Sequence, residues 1–440
     1  MPRPAARPRP PVTTALVAAN VAVFVAMGLS GASWTSPNTA QLLRWGANFG
    51  PLTLGAQPWR ALTANYVHIG IVHILFNMWC LWDLGQLSER IFGRWTYLLV
   101  YTFSGLAGSL ASLWWRPMSV GAGASGAIFG LAGALITALY LGKLPFPKQA
   151  MQRTLRSLLT FAGYNLFFGA VAAGIDNSAH IGGLLGGAVL GASLAGSLTL
   201  DADGRAQRQK FVFAGAVLAL VLGAAFVSRS NHYVVALKNA QDALMRGQPQ
   251  AALPDLQKLA QERPNDVQVH TLLGNAYSQM KDYPRAEASL RRALNLSPGN
   301  EGAQYNLGLL YLQTSRYQEA LSVFSPLRDR NPKDADLHVL VGESLSGLKR
   351  YSQAMNSYRL ALAFDARSAS AYLGMGKTQL AMGDSDAALT SLKQAAVLDA
   401  SDSDIQTELS KTYAAKGMKA ESEAAAQKAA ELEKASPANP

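Results

Sequence analysis

The sequence predicts an all-α protein in two parts, a polytopic membrane bundle of helices followed by an α-solenoid. Three observations predict it. Seven apolar runs, each close to the ~20 residues that cross a bilayer as a helix, fall before Arg229. Beyond that point small residues return at an interval of 34. The charge divides at the same place: residues 1–230 carry 16 Lys and Arg against 5 Asp and Glu, while 231–440 carry 23 of each sign.

An excess of +11 confined to the apolar half speaks for membrane orientation, and against nucleic acid as a partner, because the polar half has no basic face to offer. At 49% hydrophobic and 15% charged, the chain is too apolar for an ordinary soluble protein of 440 residues. A single cysteine, Cys80, excludes an internal disulfide framework. Lying between tryptophans in an apolar run, it reads as a buried small hydrophobe.

The runs span residues 12–29, 69–87, 96–115, 125–141, 158–175, 179–198 and 211–227. The first is longer than the ~7 to 15 apolar residues of a signal peptide and reads as an uncleaved span. With the N-terminus inside, the interior segments hold twelve basic residues: Arg3, Arg7, Arg9, Arg90, Arg94, Lys143, Lys148, Arg153, Arg156, Arg205, Arg208 and Lys210. Up to the last span the exterior loops hold three, Arg44, Arg60 and Arg116. The positive-inside bias therefore makes the N-terminus cytoplasmic and everything after Arg229 external. The external loop 30–68 carries Trp34, Trp45, Phe49, Leu52, Leu54 and Trp59, a composition that lies in the membrane interface.

Inside these runs a few polar groups stand out, since such groups are costly in hydrocarbon. They are His73, Asn77, His180, and Ser125 within the glycine-rich stretch 121–130. The topology sets all four at one depth near the external face, on three helices, and predicts a cavity open to that side. The i, i+4 spacing of His73 and Asn77 places both on one helical face. A serine hydroxyl needs a base to become a nucleophile, and imidazole is the usual one. Gly126 and Gly130 on one helix, with Gly182, Gly183, Gly186 and Gly187 on the other, allow Ser125 and His180 to meet across a tight crossing. Acyl transfer also needs donors for the developing oxyanion; the Asn77 side chain, His73 and the Ser125 amide at a helix N-terminus supply them.

Taken singly, each feature has a plainer reading. A glycine-serine notch is a common packing device in membrane helices, and a His-x-x-x-Asn pair satisfies neighbouring carbonyls. Their shared depth is what carries the reading. Asp176, four residues before His180, falls in the external loop one turn away, and a serine with a single base needs no third member. A metal site from His68, His73 and His180 lacks a carboxylate or cysteine at ligand spacing, so neither metal nor cofactor is expected.

Trp59-Arg60, His68, the run His73-Ile-Leu-Phe-Asn77, Glu89, Gly123-x-Ser125-Gly126 and Ala179-His180-x-x-Gly183-x-x-x-Gly187 occur in this order. Together they resemble the rhomboid family of intramembrane serine proteases, over roughly residues 10–200. The resemblance implies a six-span core with Ser125 as nucleophile, His180 as general base, and Asn77, His73 and the Ser125 amide as oxyanion hole. It implies structural support from Trp59, Arg60, His68, Glu89, Gly123, Gly126, Phe129, Gly183 and Gly187. Arg60 would brace the interfacial loop and Glu89 the internal end of the second span. Its substrates would be transmembrane or juxtamembrane segments of other proteins, admitted past helix five and a cap. Phe129 is a departure, standing where many members have a tyrosine against the histidine. A seventh span after the core occurs in part of the family.

In the polar half Gly274, Gly308, Gly342 and Gly376 keep the 34-residue interval, as do Ala252, Ala286, Ala320, Ala354 and Ala388, Pro264, Pro298 and Pro332, and Tyr283, Tyr317 and Tyr351. This resembles tetratricopeptide repeats, paired helices packed through small residues and ended by proline. Five repeats start near 233, 267, 301, 335 and 369, with a capping helix from about Asp402. His232, His270 and His338 read as isolated surface residues. The expected divisions are a basic cytoplasmic N-terminus (1–11), the rhomboid-like core (12–200), a loop and seventh helix (201–229), external repeats (230–434) and a disordered tail (435–440).

The sequence thus predicts an intramembrane serine endopeptidase, embedded in the lipid bilayer of a bacterial inner membrane, cleaving transmembrane proteins while its repeats hold a peptide or protein ligand. The competing class is an idle membrane scaffold whose core and repeats only bind. A transporter would show broken inverted repeats, and none are visible.

Overall fold

A computed structural model describes residues 10–435 apart from 143, 145, 172 and 173. Arg3, Arg7, Arg9 and Lys143 of the charge argument, and 436–440 of the expected tail, lie outside the described residues. The chain divides into two units, Met1–Lys238 and Asn239–Pro440. The described residues hold no β-strand, only an isolated bridge between Asn48 and Gly121.

In the first unit α1 (Pro11–Leu29) starts on a proline, which suits a position whose N–H has no helical partner. Its first free amides are capped from a distance: Glu89 accepts from Val12 N at 3.1 Å, Thr13 N at 3.0 Å and Thr13 Oγ1 at 2.9 Å. Three short helices, α2 (Thr39–Arg44), α3 (Gly50–Thr53) and α4 (Arg60–Thr63), fold the long loop, and Trp34 and Trp59 remain about half exposed on it. Arg60, buried, ties the loop together by donating to Gln57 Oε1 (2.5 Å), Leu43 O (2.6 Å) and Ala47 O (3.1 Å).

Five long helices follow: α5 (Ile71–Phe92), α6 (Arg94–Trp115), α7 (Ser125–Leu141), α8 (Lys148–Val171) and α9 (Asn177–Ala195). Helix α7 is the axis of the bundle, buried continuously from Gly126 to Leu135. It packs most extensively on α9, where a methyl added to Gly183 or Gly187 would stand 1.9 Å from the carbonyl oxygen of Gly126 or Gly130. Backbone touches backbone along this crossing. The last helix of the unit, α10 (Ala202–Met245), runs unbroken past residue 230 into the first repeat, because 224–245 contains neither glycine nor proline. Asn231 Nδ2 donates from it to Leu113 O on α6 at 3.3 Å.

Among the described residues each of the seven apolar runs falls largely on a helix, and α1, α6, α9 and α10 are long and apolar enough by themselves to cross a membrane. Helix α7 is apolar but 17 residues long, α5 carries Asp83, Glu89 and Arg90, and α8 opens on a polar stretch, Lys148 to Ser157. Cys80 proves half-buried rather than buried, at the edge of the core.

The second unit is a series of helix pairs. After α11 (Pro249–Glu262) come α12 (Val267–Gln279) with α13 (Tyr283–Leu296), α14 (Glu301–Gln313) with α15 (Tyr317–Arg330), α16 (Ala335–Gly347) with α17 (Tyr351–Phe364), α18 (Ala369–Ala381) with α19 (Ser385–Leu398), and α20 (Ser403–Ala415) with α21 (Lys419–Ala435). Asp266, Asn300, Asp334, Ser368 and Asp402 each cap the first helix of a pair by accepting from its free amides. The repeating glycine makes room for a side chain: a methyl on Gly308 would meet the Phe324 ring at 2.4 Å.

The histidines of this unit correct the sequence expectation. His338 is buried, stacked on Phe364, with Nε2 2.9 Å from Pro332 O. His270 Nε2 meets Pro264 O at 2.9 Å and Gln304 Nε2 meets Pro298 O at 2.7 Å, one period apart each time. The side chain at this position latches the proline carbonyl that ends the preceding helix pair. The series stops at Tyr372, which makes no such bond.

Candidate active site

Ser125 is the first residue of α7, so its backbone N–H belongs to the turn that helical geometry leaves without an internal acceptor. The strand-like segment before it is pinned from two sides. Gly121 exchanges backbone bonds with Asn48 at 2.8 and 2.9 Å, and Gly123 N–H donates to Ala64 O at 2.9 Å. Gly123 has φ +129°, where a side chain is strained, and a methyl there would stand 2.6 Å from the His73 ring. The same point lies 3.0 Å from His73 Nε2 and 3.6 Å from Asn77 Nδ2, so both side chains of α5 converge on the segment leading into Ser125.

His180, on the first turn of α9, is buried and sets Nε2 2.9 Å from Ser125 Oγ. Phe129, one turn beyond Ser125, stacks on its imidazole with centroids 4.3 Å apart and planes 9° from parallel, and Phe161 of α8 backs Phe129 at 5.5 Å. The stacking surface survives without a tyrosine hydroxyl. Asn77 is buried and its Nδ2 has no partner among the described residues. His73 Nδ1 accepts from Ile69 N–H at 3.4 Å, which leaves the proton of the neutral ring on Nε2, the nitrogen turned toward Gly123. Ser125, His180, His73, Asn77, Gly123, Gly126 and Phe129 thus form one cluster.

The remaining expected residues lie outside this cluster. His68 is fully buried 5.3 Å from His73, its Nδ1 3.2 Å from Tyr66 O; burial, and then His73, hold it neutral by pushing its pKa down to about 3. Trp59 lies under the Arg60 guanidinium at 4.9 Å. Arg60 and Glu89 stand apart from the cluster, Arg60 inside the 30–68 loop and Glu89 near the end of α5, where it caps α1. Gly183 and Gly187 act through the α7–α9 crossing.

Sequence reasoning places α6 as a span over 96–115 but misses its contacts with the start of α9. Gly108 lets the Ala179 carbonyl approach, since a methyl there would be 2.7 Å from that oxygen, and Ser112 reaches the residue that opens α9. The signal was present as small residues at 104, 105, 108, 109 and 112, one stripe in a helix otherwise rich in Trp, Leu and Tyr.

Residues 55–197 match the Rhomboid domain family, and 243–294, 279–343 and 373–440 match tetratricopeptide repeat families. The rhomboid protease AarA of Providencia stuartii is 31% identical over 202 residues, 41% of this chain and 70% of that protein. The chain belongs to the rhomboid family. The rhomboid protease GluP of Bacillus subtilis is 32% identical over 308 residues, 69% of this rhomboid chain and 58% of that one. RHOMBOID-like protein 7 of Arabidopsis thaliana is 35% identical over 156 residues, 35% of this chain and 49% of its own. The match therefore spans about half the length of these last two relatives. Among solved structures, a thermophilic TPR protein of Thermus thermophilus is 26% identical over 38% of this rhomboid chain and 91% of its own, with a TM-score of 0.36.

Proposed function

We propose that this rhomboid is an intramembrane serine endopeptidase in which Ser125 is the nucleophile and His180 its base. The observation that carries the reading is the 2.9 Å approach of His180 Nε2 to Ser125 Oγ across two helices. Ser125 Oγ attacks the scissile carbonyl as its proton passes to Nε2. The oxyanion receives hydrogen bonds from the Ser125 amide, the unpartnered Asn77 amide and His73 Nε2–H. Collapse expels the amine, which takes the proton from His180. Water, deprotonated by the same nitrogen, then splits the acyl ester and returns the hydroxyl.

The substrates are transmembrane or juxtamembrane segments, cut near the external face of a bacterial inner membrane. The N-terminus is cytoplasmic and the repeats external, where they recruit substrate or dock a protein partner. The arrangement 12–200, 201–229 and 230–434 assigns the catalytic core, the connecting span and the recruiting array in turn.

A fluorophosphonate probe on the purified full chain tests the reading. Wild-type protein is expected to be labelled, with labelling lost in Ser125→Ala and at least ~100-fold slower in His180→Ala. Folded wild-type protein that takes no label would leave a scaffold that only binds transmembrane segments.

A further inference from the structure

Asp176 precedes α9 and makes no hydrogen bond to the imidazole four residues later. His180 Nδ1 is buried without a partner among the described residues, and both carboxylate oxygens of Asp176 are engaged elsewhere. Oδ2 accepts from Ser112 Oγ at the outer end of α6, at 2.5 Å. Oδ1 accepts from Ser178 Oγ and from the Ala179 N–H at 3.2 Å, so the same side chain is the N-cap of α9. On the other flank Asn177 Nδ2 donates to Leu166 O of α8 at 2.9 Å.

This tether matters because of what surrounds it. The faces by which α9 meets α6 and α7 are made of Gly108, Gly126, Gly182 and Gly183. Glycine surfaces admit a close approach but carry no knobs to stop one helix sliding along or rolling against another. Apart from the Ser125–His180 contact itself, the nearest side-chain bond between α7 and α9, Thr137 Oγ1 to Ala188 O at 3.0 Å, lies two turns below the histidine. Axial and rotational placement of the first turn of α9 therefore falls to its polar anchors, and the one to α6 passes through Asp176.

We infer that Asp176 is a positioning residue of the Ser125–His180 pair, capping α9 and hooking its first turn to Ser112 so that the imidazole stands at bonding distance from the hydroxyl. This rests on the dyad reading above. Its role is geometric and needs an acceptor for the Ala179 N–H and a partner for the Ser112 hydroxyl. An amide provides both.

The test is the fluorophosphonate reaction of the full-length chain in detergent, with kinact and KI separated and followed over pH. Asp176→Ala is expected to lower kinact about ten- to a hundredfold, the scale of a displacement near 1 Å, at unchanged KI. Asp176→Asn is expected to recover most of the loss on the pH plateau of labelling. Ser112→Ala should lose part of the rate, and Ser112→Ala with Asp176→Ala no more than Asp176→Ala alone, since both act through one tether. Asp176→Ala labelled at the wild-type rate overturns the inference. So does Asp176→Asn as slow as the alanine variant, because charge rather than placement would then be acting. Should Asp176→Ala fail to fold, Ser112→Ala decides, and a wild-type rate there overturns it. Wild-type protein that takes no label removes the dyad reading itself, a result distinct from all of these.

Discussion

Glycine does opposite work in the two units. At the α7–α9 crossing it admits a backbone: methyls on Gly183 and Gly187 would stand 1.9 Å from carbonyl oxygens. In the repeats it admits a side chain, as Gly308 does for Phe324 and Gly342 for Tyr358, with nearest ring atoms at 2.4 and 2.6 Å. The difference follows from the solvent. Lipid gives no hydrophobic gain for a ring buried between helices, so close backbone contact holds membrane helices together. Water does give it, about 1.5–3 kcal/mol for a fully buried large side chain. A ring can rotate away from an intruding methyl; a helix backbone cannot.

The largest effect should therefore come from Gly183→Ala. Pushing α9 off α7 is expected to slow fluorophosphonate labelling at least ~100-fold. The matched change Gly308→Ala should cost the repeat unit about 1–3 kcal/mol of overpacking, read by hydrogen exchange of the repeat peptides, while labelling stays at the wild-type rate. If Gly183→Ala were as mild as Gly308→Ala, the contrast would be broken.

A second pairing sharpens it. Both units hold a histidine stacked on a phenylalanine, His180 on Phe129 and His338 on Phe364, the latter at 5.4 Å. Nε2 of His180 faces a hydroxyl, whereas Nε2 of His338 faces the Pro332 carbonyl and must carry a proton to bond it. The stack is common to both; only the first can accept a proton at that nitrogen. Phe129→Leu should slow labelling about two- to tenfold, the worth of one aromatic contact. Phe364→Leu should leave labelling alone and loosen the repeats.

The smallest effect concerns charge. Burial pushes the Glu343 carboxyl up, with Lys377 opposing and Asp404 adding to the shift. The folded repeats then bind a proton that the unfolded chain releases, so this contribution to stability is complete below the ordinary carboxylate range and lost as pH rises through the raised value. Glu343→Gln should raise the urea midpoint of the repeat peptides at pH 8, and the gain should vanish near pH 4. The membrane unit should not respond.

Much of this was legible because the chemistry is local. The apolar runs, the 34-residue period and the His73, Asn77, Ser125 and His180 positions each announce themselves within a few residues. What escaped depends on distant partners. Nothing near Glu89 says that it caps α1 across 76 residues, or that Ser112 reaches Asp176 across 64. His338 read as a surface residue because its hydrophobic neighbour, Phe364, comes 26 positions later on another helix. The seventh apolar run ends at 227, where hydropathy falls, yet a helix needs only the absence of breakers to continue, and α10 goes on to Met245.

The latch from His270, Gln304 and His338 to the three prolines has a mechanical corollary. Junctions one to three of the array carry this latch; the junction before Tyr372 lacks it and has the Ser346–Thr378 hydroxyl pair instead, at 2.8 Å. Under load or on warming, the seam should open first on the side of α18 to α21, where no proline carbonyl is latched, while the pairs before it hold.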